Sequence, residues 1–238
     1  MAAPDLVIPV REGAASEELR YALRSVAAHL PHGRVWLVGH RPPWAVNVEH
    51  LPTRQTGTKY QNTTAAVRAA CEHPGVSEQF VLSNDDFFLM HPQPDGMPVL
   101  HRGPVRNVEA YYAARASGLY LRGMRDTARL LVSLGHPDPM SYELHVPMTV
   151  DKAGMLAALD TGRHLAVVHK RTLYGNLAGL GGTQIRDVKV LHRAPHGYGP
   201  NSRFLSTMPD SFANGHVGQF IRDAFRRPSP YEKPAGRR

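Results

Sequence analysis

Apolar residues fall into short unbroken runs in the first third of the chain and recur at helical spacing between them. Leu6-Val7-Ile8-Pro9-Val10 is the first run, Val35-Trp36-Leu37-Val38-Gly39 the second, and Gln79-Phe80-Val81-Leu82 ends at Ser83-Asn84-Asp85-Asp86. Unbroken runs of this length suit strands covered on both faces, as in a parallel sheet. Ala45 to Val48 reads as a weaker strand between the second and the last. Leu19, Leu23, Val26 and Leu30 lie one helical turn apart. Ser16 is the expected N-cap of that helix, with Glu17 and Glu18 in its first turn, and Pro31-His32-Gly33 closes it. Asn62-Thr63-Thr64 opens a second helix that runs to about Glu72 and stops at Pro74-Gly75.

Strand, helix, strand, strand, helix, strand is the rhythm of an α/β fold with crossover helices. Beyond residue 100 the pattern turns helical. Helices are expected over Asn107 to Ser117, over Leu121 to Leu134, from an Asp151 cap through Leu159, and from Phe212 to Phe225, where Gly215 and Gly218 weaken the pattern. Gly175 to Gly182 holds four glycines in eight residues and reads as a glycine-rich loop. The expected organisation is one domain with a nucleotide-binding half (1–100), a more helical acceptor half (101–227) and a flexible tail (228–238).

Composition changes this picture little. Hydrophobic residues make up 42% and charged residues 20%, which is globular and not disordered. Cys71 is the one cysteine, so no internal disulfide can form and a reducing compartment is expected. It lies in a helical pattern that reads as a small buried residue rather than a nucleophile. The first residues lack the basic and apolar regions of a signal peptide and no run is long enough to span a membrane, so a cytoplasmic location is expected. The net charge of +8 changes more, because it favours phosphate-bearing partners. Arg102 to Arg129 holds six arginines against Glu109 and Asp126, yet solvated helix faces account for much of that charge.

The candidate chemistry gathers at strand ends. In an open parallel sheet, ligands bind beyond the carboxyl ends of the strands, and Asn84-Asp85-Asp86 stands there. It reads either as an Asx-rich turn or as a pair of carboxylates, one holding Mg²⁺ or Mn²⁺ and its neighbour meeting substrate. Arg11 directly follows the first strand. Lys59 and Tyr60 precede the second helix, where Tyr60 could stack on a base. Lys170-Arg171 and Tyr174-Gly175-Asn176 form a basic patch beside the glycine-rich loop, suited to phosphate or acceptor, or else a plain surface loop. His192 and His196 are four apart with Pro195 between them, which argues against a helical zinc pair.

Taken together, these segments resemble the Stealth family of sugar-phosphate transferases and, more loosely, nucleotide-sugar glycosyltransferases of the GT-A fold, among them small phage-type glycosyltransferases. Glu18-Leu19-Arg20-Tyr21-Ala22-Leu23-Arg24-Ser25 is similar to the opening of the second Stealth block. Val35 to Gly39 and Pro43-Trp44 continue it, and Gly75 to Phe80 with Asn84-Asp85-Asp86-Phe87-Phe88 matches its end. Leu144-His145-Val146-Pro147-Met148 is similar to the third block. The first block is reduced to Val7 to Gly13, and Phe204 to Asp210 is the nearest counterpart of the last.

The resemblance implies a GT-A-like, Rossmann-like fold with a mostly parallel sheet. It implies metal and donor roles for Asp85 and Asp86, donor-side contacts near Arg20, Arg24 and Asn62, and a catalytic-site histidine at His145. The donor set read from the whole chain is Arg11, Arg20, Arg24, Lys59, Tyr60, Asn62, Asn84, Arg171 and Asn176. The expected activity is metal-dependent glycosyl transfer from a nucleotide-diphosphate sugar to an unidentified acceptor: a virion protein, a glycan or modified DNA. Sugar-1-phosphate transfer is the alternative, and a non-catalytic nucleic-acid-binding protein is a rival of another class, possible on charge but not favoured.

Overall fold

The computed structural model describes residues 3–13, 16–114 and 118–234. Strand β1 (Asp5–Val10) is buried along almost its whole length and lies in the middle of a five-stranded sheet. On one side it pairs in parallel with β2 (Val35–Gly39), and β2 pairs in parallel with β3 (Glu49–Leu51). On its other side β1 pairs in parallel with β4 (Gln79–Leu82). An edge strand from later in the chain, β7 (Met148–Asp151), runs antiparallel to β4 with Leu82 opposite Met148. The order β3-β2-β1-β4-β7 makes a mixed α/β fold with a mostly parallel sheet, as the apolar runs predict.

Alternation along β1 divides the core. Leu6, Ile8 and Val10 join Leu19 and Leu23 of α1 (Glu17–His29) on one face. Val7 joins Val67 of α2 (Lys59–Glu72) and Met155 of α5 (Lys152–Thr161) on the other. After β4 the chain reverses into β5 (Phe87–Leu89), the edge of a second small sheet. There β10 (Phe204–Thr207) runs antiparallel to β5 and parallel to β9 (Lys189–Val190). The pair β6 (Leu100–His101) and β8 (Thr183–Gln184) is parallel. Helices α3 (Val105–Ala113), α4 (Leu119–Ser133), α6 (Lys170–Leu177), α7 (Pro209–Asn214) and α8 (His216–Ala224) complete the described elements. None is long and apolar enough to cross a membrane.

The Asp151 cap is as expected, its side chain accepting from the Gly154 amide at 2.8 Å. Other boundaries differ for identifiable reasons. Ser16 sits in the left-handed region and makes no side-chain cap. Helix α2 starts three residues before Asn62, because Thr58 and Gln61 form a capping box, and so takes in Lys59 and Tyr60. Helix α6 occupies the first part of the expected glycine-rich loop. The Phe212 to Phe225 helix is two helices, since Gly215 is extended at φ −104° and ψ 164°. The expected end at Ser117 lies outside the described residues, and α3 itself begins earlier, at Val105.

Ala45 to Val48 is not a strand of the main sheet. Its partner lies in the stretch expected to be a flexible tail: Val46 N–H donates to Tyr231, Lys233 N–H donates to Trp44, and Ala45 bridges Glu232. Glu232 is buried, accepts from Arg24 Nε at 2.7 Å and Arg20 Nη1 at 3.0 Å, and accepts from the Ser229 amide at 2.8 Å. Burial opposes its ionisation, but the Arg24 and Ser229 hydrogen bonds prevail and hold the carboxyl at about 2. A folded value below the unfolded one gives stability that is complete above about pH 4.5 and lost as pH falls toward 2. Glu232→Gln is therefore expected to cost on the order of 2–3 kcal/mol at pH 7. In urea titrations the gap from the wild type should close between pH 4.5 and pH 2. A gap that does not depend on pH would contradict this.

Candidate active site

The order of strands reverses between β1 and β4: β2 and β3 add on one side of β1, and β4 on the other. A crevice opens at such a switch point beyond the carboxyl ends. Arg11 leaves the end of β1 there and Asn84-Asp85-Asp86 leave the end of β4. The cleft between them holds about 300 Å³, at the small end of the ~300–1,000 Å³ typical of ligand sites. Gln55 shapes its rim, its amide nitrogen donating to the Val10 carbonyl at 2.8 Å and its oxygen accepting from the Glu12 amide at 3.1 Å. Close approach requires Gly39 opposite: at φ +108°, a Cβ would lie 2.5 Å from that amide nitrogen and 2.6 Å from the Val10 oxygen.

The first turn of α2 forms the next wall, with Lys59, Asn62 and Thr63 lining the cleft. A helix N-terminus favours anions, through its dipole and its unpaired amides. Both ends of the Asn62 side-chain amide are bonded to Gly57 at 3.0 Å, so Asn62 shapes the loop before the helix as well as lining the cleft.

Three carboxylates face these cations. Asp86 Oδ2 accepts from Lys189 Nζ at 2.7 Å and from Ser206 Oγ at 3.1 Å. Glu18 Oε1 accepts from Thr207 Oγ1 at 2.7 Å. Burial pushes the Glu18 carboxyl up to about 7; the Thr207 bond opposes that, and the charges of Asp86 and Asp85 add to it. Burial and then the Asp86 charge push Asp85 up to about 6. Lys189 neutralises Asp86, and the carboxyl oxygens of Asp85 and Glu18 complete the group. That oxygen-only set suits a hard divalent cation. Among the described residues, no group of three or more His, Cys, Asp or Glu is placed to hold a metal ion. Magnesium held by one or two carboxylates commonly completes its shell with phosphate oxygens and water.

His145 stands on the same edge of the sheet. It precedes β7 by three residues, and β7 begins opposite the last residue of β4. Its Nδ1 lies 2.9 Å from both oxygens of Asp187, and its ring meets the Phe87 ring edge-on at 5.9 Å. Arg102 approaches Asp187 Oδ2 at 3.4 Å. Burial opposes ionisation of Asp187, but the His145 hydrogen bonds and the Arg102 charge prevail and hold the carboxyl below its ordinary value.

The structure thus gathers Arg11, Lys59, Asn62, Asn84, Asp85 and Asp86 around one cleft. It places the other expected contacts elsewhere. Arg20 and Arg24 are bound to Glu232. Arg171 is buried and donates to the carbonyls of Leu144, Val146 and Leu82. Asn176 bonds both backbone polar groups of Met140 at 2.8 Å. Tyr60 lies beside the cleft, its ring 5.0 Å from Lys59 Nζ, but turns to Tyr120 at 6.3 Å. Cys71 is buried, and burial pushes its thiol up to about 12, so it is no nucleophile.

Sequence reasoning missed Glu18 as a site group, as well as Lys189, Ser206, Thr207 and Asp187. Glu18 opens the segment similar to the second Stealth block, and Ser206 and Thr207 lie in Phe204 to Asp210, the nearest counterpart of a final block.

No protein-family model matches the chain, and no curated protein matches it. Among solved structures, the chain is similar to the apo form of the glycosyltransferase GlyE of Streptococcus pneumoniae TIGR4. The TM-score is 0.45 at 7% identity, over 94% of this chain and 60% of that one. A second GlyE structure gives 0.37 at 7% identity, over 95% of this chain and 50% of that one. The chain thus spans between half and three-fifths of the GlyE chain.

Proposed function

We propose that this protein is a nucleotide-sugar-dependent glycosyltransferase with its donor diphosphate in the cleft between β1 and β4. The observation that carries the reading is the meeting of cations and carboxylates at one strand switch point: Arg11, Lys59 and Lys189 with Glu18, Asp85 and Asp86. Arg11 and Lys59 carry the charge, and the α2 N-terminus the dipole, that a diphosphate needs. Asp85, the carboxylate not bonded to Lys189, would hold Mg²⁺ or Mn²⁺, which would supply neutralisation of charge on the departing diphosphate.

In the transfer, an acceptor hydroxyl oxygen bonds to the anomeric carbon. The bond from that carbon to the diphosphate oxygen breaks, and nucleoside diphosphate leaves. The His145 imidazole takes the hydroxyl proton. The segment Asp187 to Lys189 supports this pairing of centres. Asp187 binds His145, and Lys189, two residues on, binds Asp86.

His145→Ala is expected to lower nucleotide release from the cleaved donor by roughly 10²-fold or more, with donor affinity nearly unchanged. Wild-type turnover in the variant would remove His145 from the reaction. Nucleoside monophosphate in place of diphosphate as product would select the sugar-1-phosphate alternative suggested by the Stealth-like segments.

The nucleic-acid reading draws less support, because much of the arginine-rich stretch is paired locally. Arg106 meets Asp138, Arg125 meets Glu109, and Arg129 meets Asp126.

A further inference from the structure

Asp187 is nearly sequestered by donors. Its Oδ1 accepts from His145 Nδ1 at 2.9 Å, from the His145 amide at 3.3 Å and from the Val188 amide at 3.0 Å. Its Oδ2 lies 2.9 Å from the same Nδ1 and 3.4 Å from Arg102 Nη1. Arg102 is itself held: Nη1 donates to the Tyr112 hydroxyl at 3.2 Å, and the guanidinium lies 5.3 Å from the Tyr112 ring centre. The side chain of Arg102 is 10% exposed and that of Asp187 15%, against 25% for His145, so the imidazole is the most open member of the chain.

An ionised carboxylate has no proton to give, so every group around Asp187 must donate to it. Nδ1 of His145 therefore carries the hydrogen, and in the neutral ring Nε2 is left with the lone pair. A histidine free to choose divides between two tautomers, one of which presents an N–H where a base needs a lone pair. Asp187 removes that choice, and its bond to the His145 amide fixes the backbone from which the ring projects. Arg102 offsets the cost of keeping the carboxylate ionised.

We infer that Asp187 is the positioning residue of the reaction: it fixes the Nδ1–H tautomer of His145, so that Nε2 receives the proton of the acceptor hydroxyl. This rests on the reading of His145 as the base. The atoms balance with no further reactant. The hydroxyl proton passes to Nε2, the ring becomes an imidazolium stabilised by Asp187, and the proton leaves to water after the nucleotide departs.

The test joins a spectrum with kinetics. In ¹⁵N-labelled wild-type protein at pH 8.5, ring nitrogen shifts, assigned by their loss in His145→Ala, should report the Nδ1–H tautomer. An Nε2–H tautomer would overturn the inference without any further variant. Asp187→Asn removes the charge and replaces one of the two acceptor oxygens by an amide donor, and should shift the ring toward Nε2–H. Nucleotide release from a panel of UDP-, GDP- and dTDP-sugars should then fall by about 10²-fold in kcat, with the KM for donor within about twofold. Wild-type kcat in Asp187→Asn, beside an inactive His145→Ala, would overturn the positioning role and leave the base reading standing. Wild-type kcat in both would remove the base reading and this one with it.

Discussion

Asp85→Ala should abolish cation-dependent donor binding while leaving the fold intact. Asp86 is already committed to Lys189 at 2.7 Å and Ser206 at 3.1 Å, so Asp85 is the carboxylate with capacity left for a cation. Without it, the affinity for a nucleotide-diphosphate sugar in Mn²⁺ should fall about 10²-fold, to that of the wild type in EDTA, through loss of the interaction between cation and phosphate. Transfer should be lost with it. Stability should move the other way. Burial and Asp86 push Asp85 up to about 6 in the folded protein, above its ordinary 3.8. A raised carboxyl opposes folding once it is ionised, and this cost grows from about pH 3.8 and is complete above about pH 6. Asp85→Asn should therefore melt higher than the wild type at pH 7.5, by about 1–3 kcal/mol. Normal cation-dependent binding in either variant would contradict the account. Asp86→Ala, by contrast, should lose stability as well as transfer, since it leaves Lys189 without its partner.

Arg171→Ala is expected to produce the largest loss of stability. The sequence suggests a ligand-facing arginine in a basic patch, but its guanidinium lies under the site. It donates to Leu144 O at 3.2 Å, Val146 O at 2.6 Å and Leu82 O at 3.2 Å, and sits 5.2 Å from the centre of the Phe87 ring. It thereby ties the segment bearing His145 to the end of β4. Alanine would strand three carbonyls, each costing about 1–3 kcal/mol when buried without a donor. A loss of about 3–5 kcal/mol follows, or roughly 6–20 °C in Tm for a chain of this size. Arg171→Lys should recover only part, because one ammonium cannot match a planar fork serving three acceptors. An unchanged Tm with lost donor affinity would return Arg171 to the binding site.

These two residues also show where the sequence can be read and where it cannot. The runs at Leu6, Val35 and Gln79 state their own environment, since a strand apolar on both sides has only a sheet interior to occupy. Asp85 and Asp86 could be placed because they directly follow one of those runs. Arg20 and Arg24 lie four residues apart on a helix and read as a pair awaiting an anion. That anion is Glu232, 208 residues beyond Arg24, and nothing local to either arginine points to it. Ala45 to Val48 misled for the same reason, its partner being the far end of the chain. Asp187 and Lys189 lie in a stretch with little regular structure. Their importance comes from what they touch, His145 and Asp86, each reached only after the chain has folded. Helix α6 was hidden by its own composition, because Gly175 suggests a loop. The ring of Tyr142 fills the space there, 2.5 Å from where a Cβ would stand.

The cleft at the β1–β4 switch point is proposed to bind a nucleotide diphosphate through a cation held by Asp85. Isothermal titration of the wild-type protein with UDP, GDP and dTDP, each in Mn²⁺ and again in EDTA, tests it most directly. Saturable binding of at least one nucleotide in Mn²⁺ is expected, weakened at least tenfold by EDTA and lowered to that same level in Asp85→Ala. Binding that is indifferent to Mn²⁺ and to Asp85, or no binding of any of the three, would contradict it.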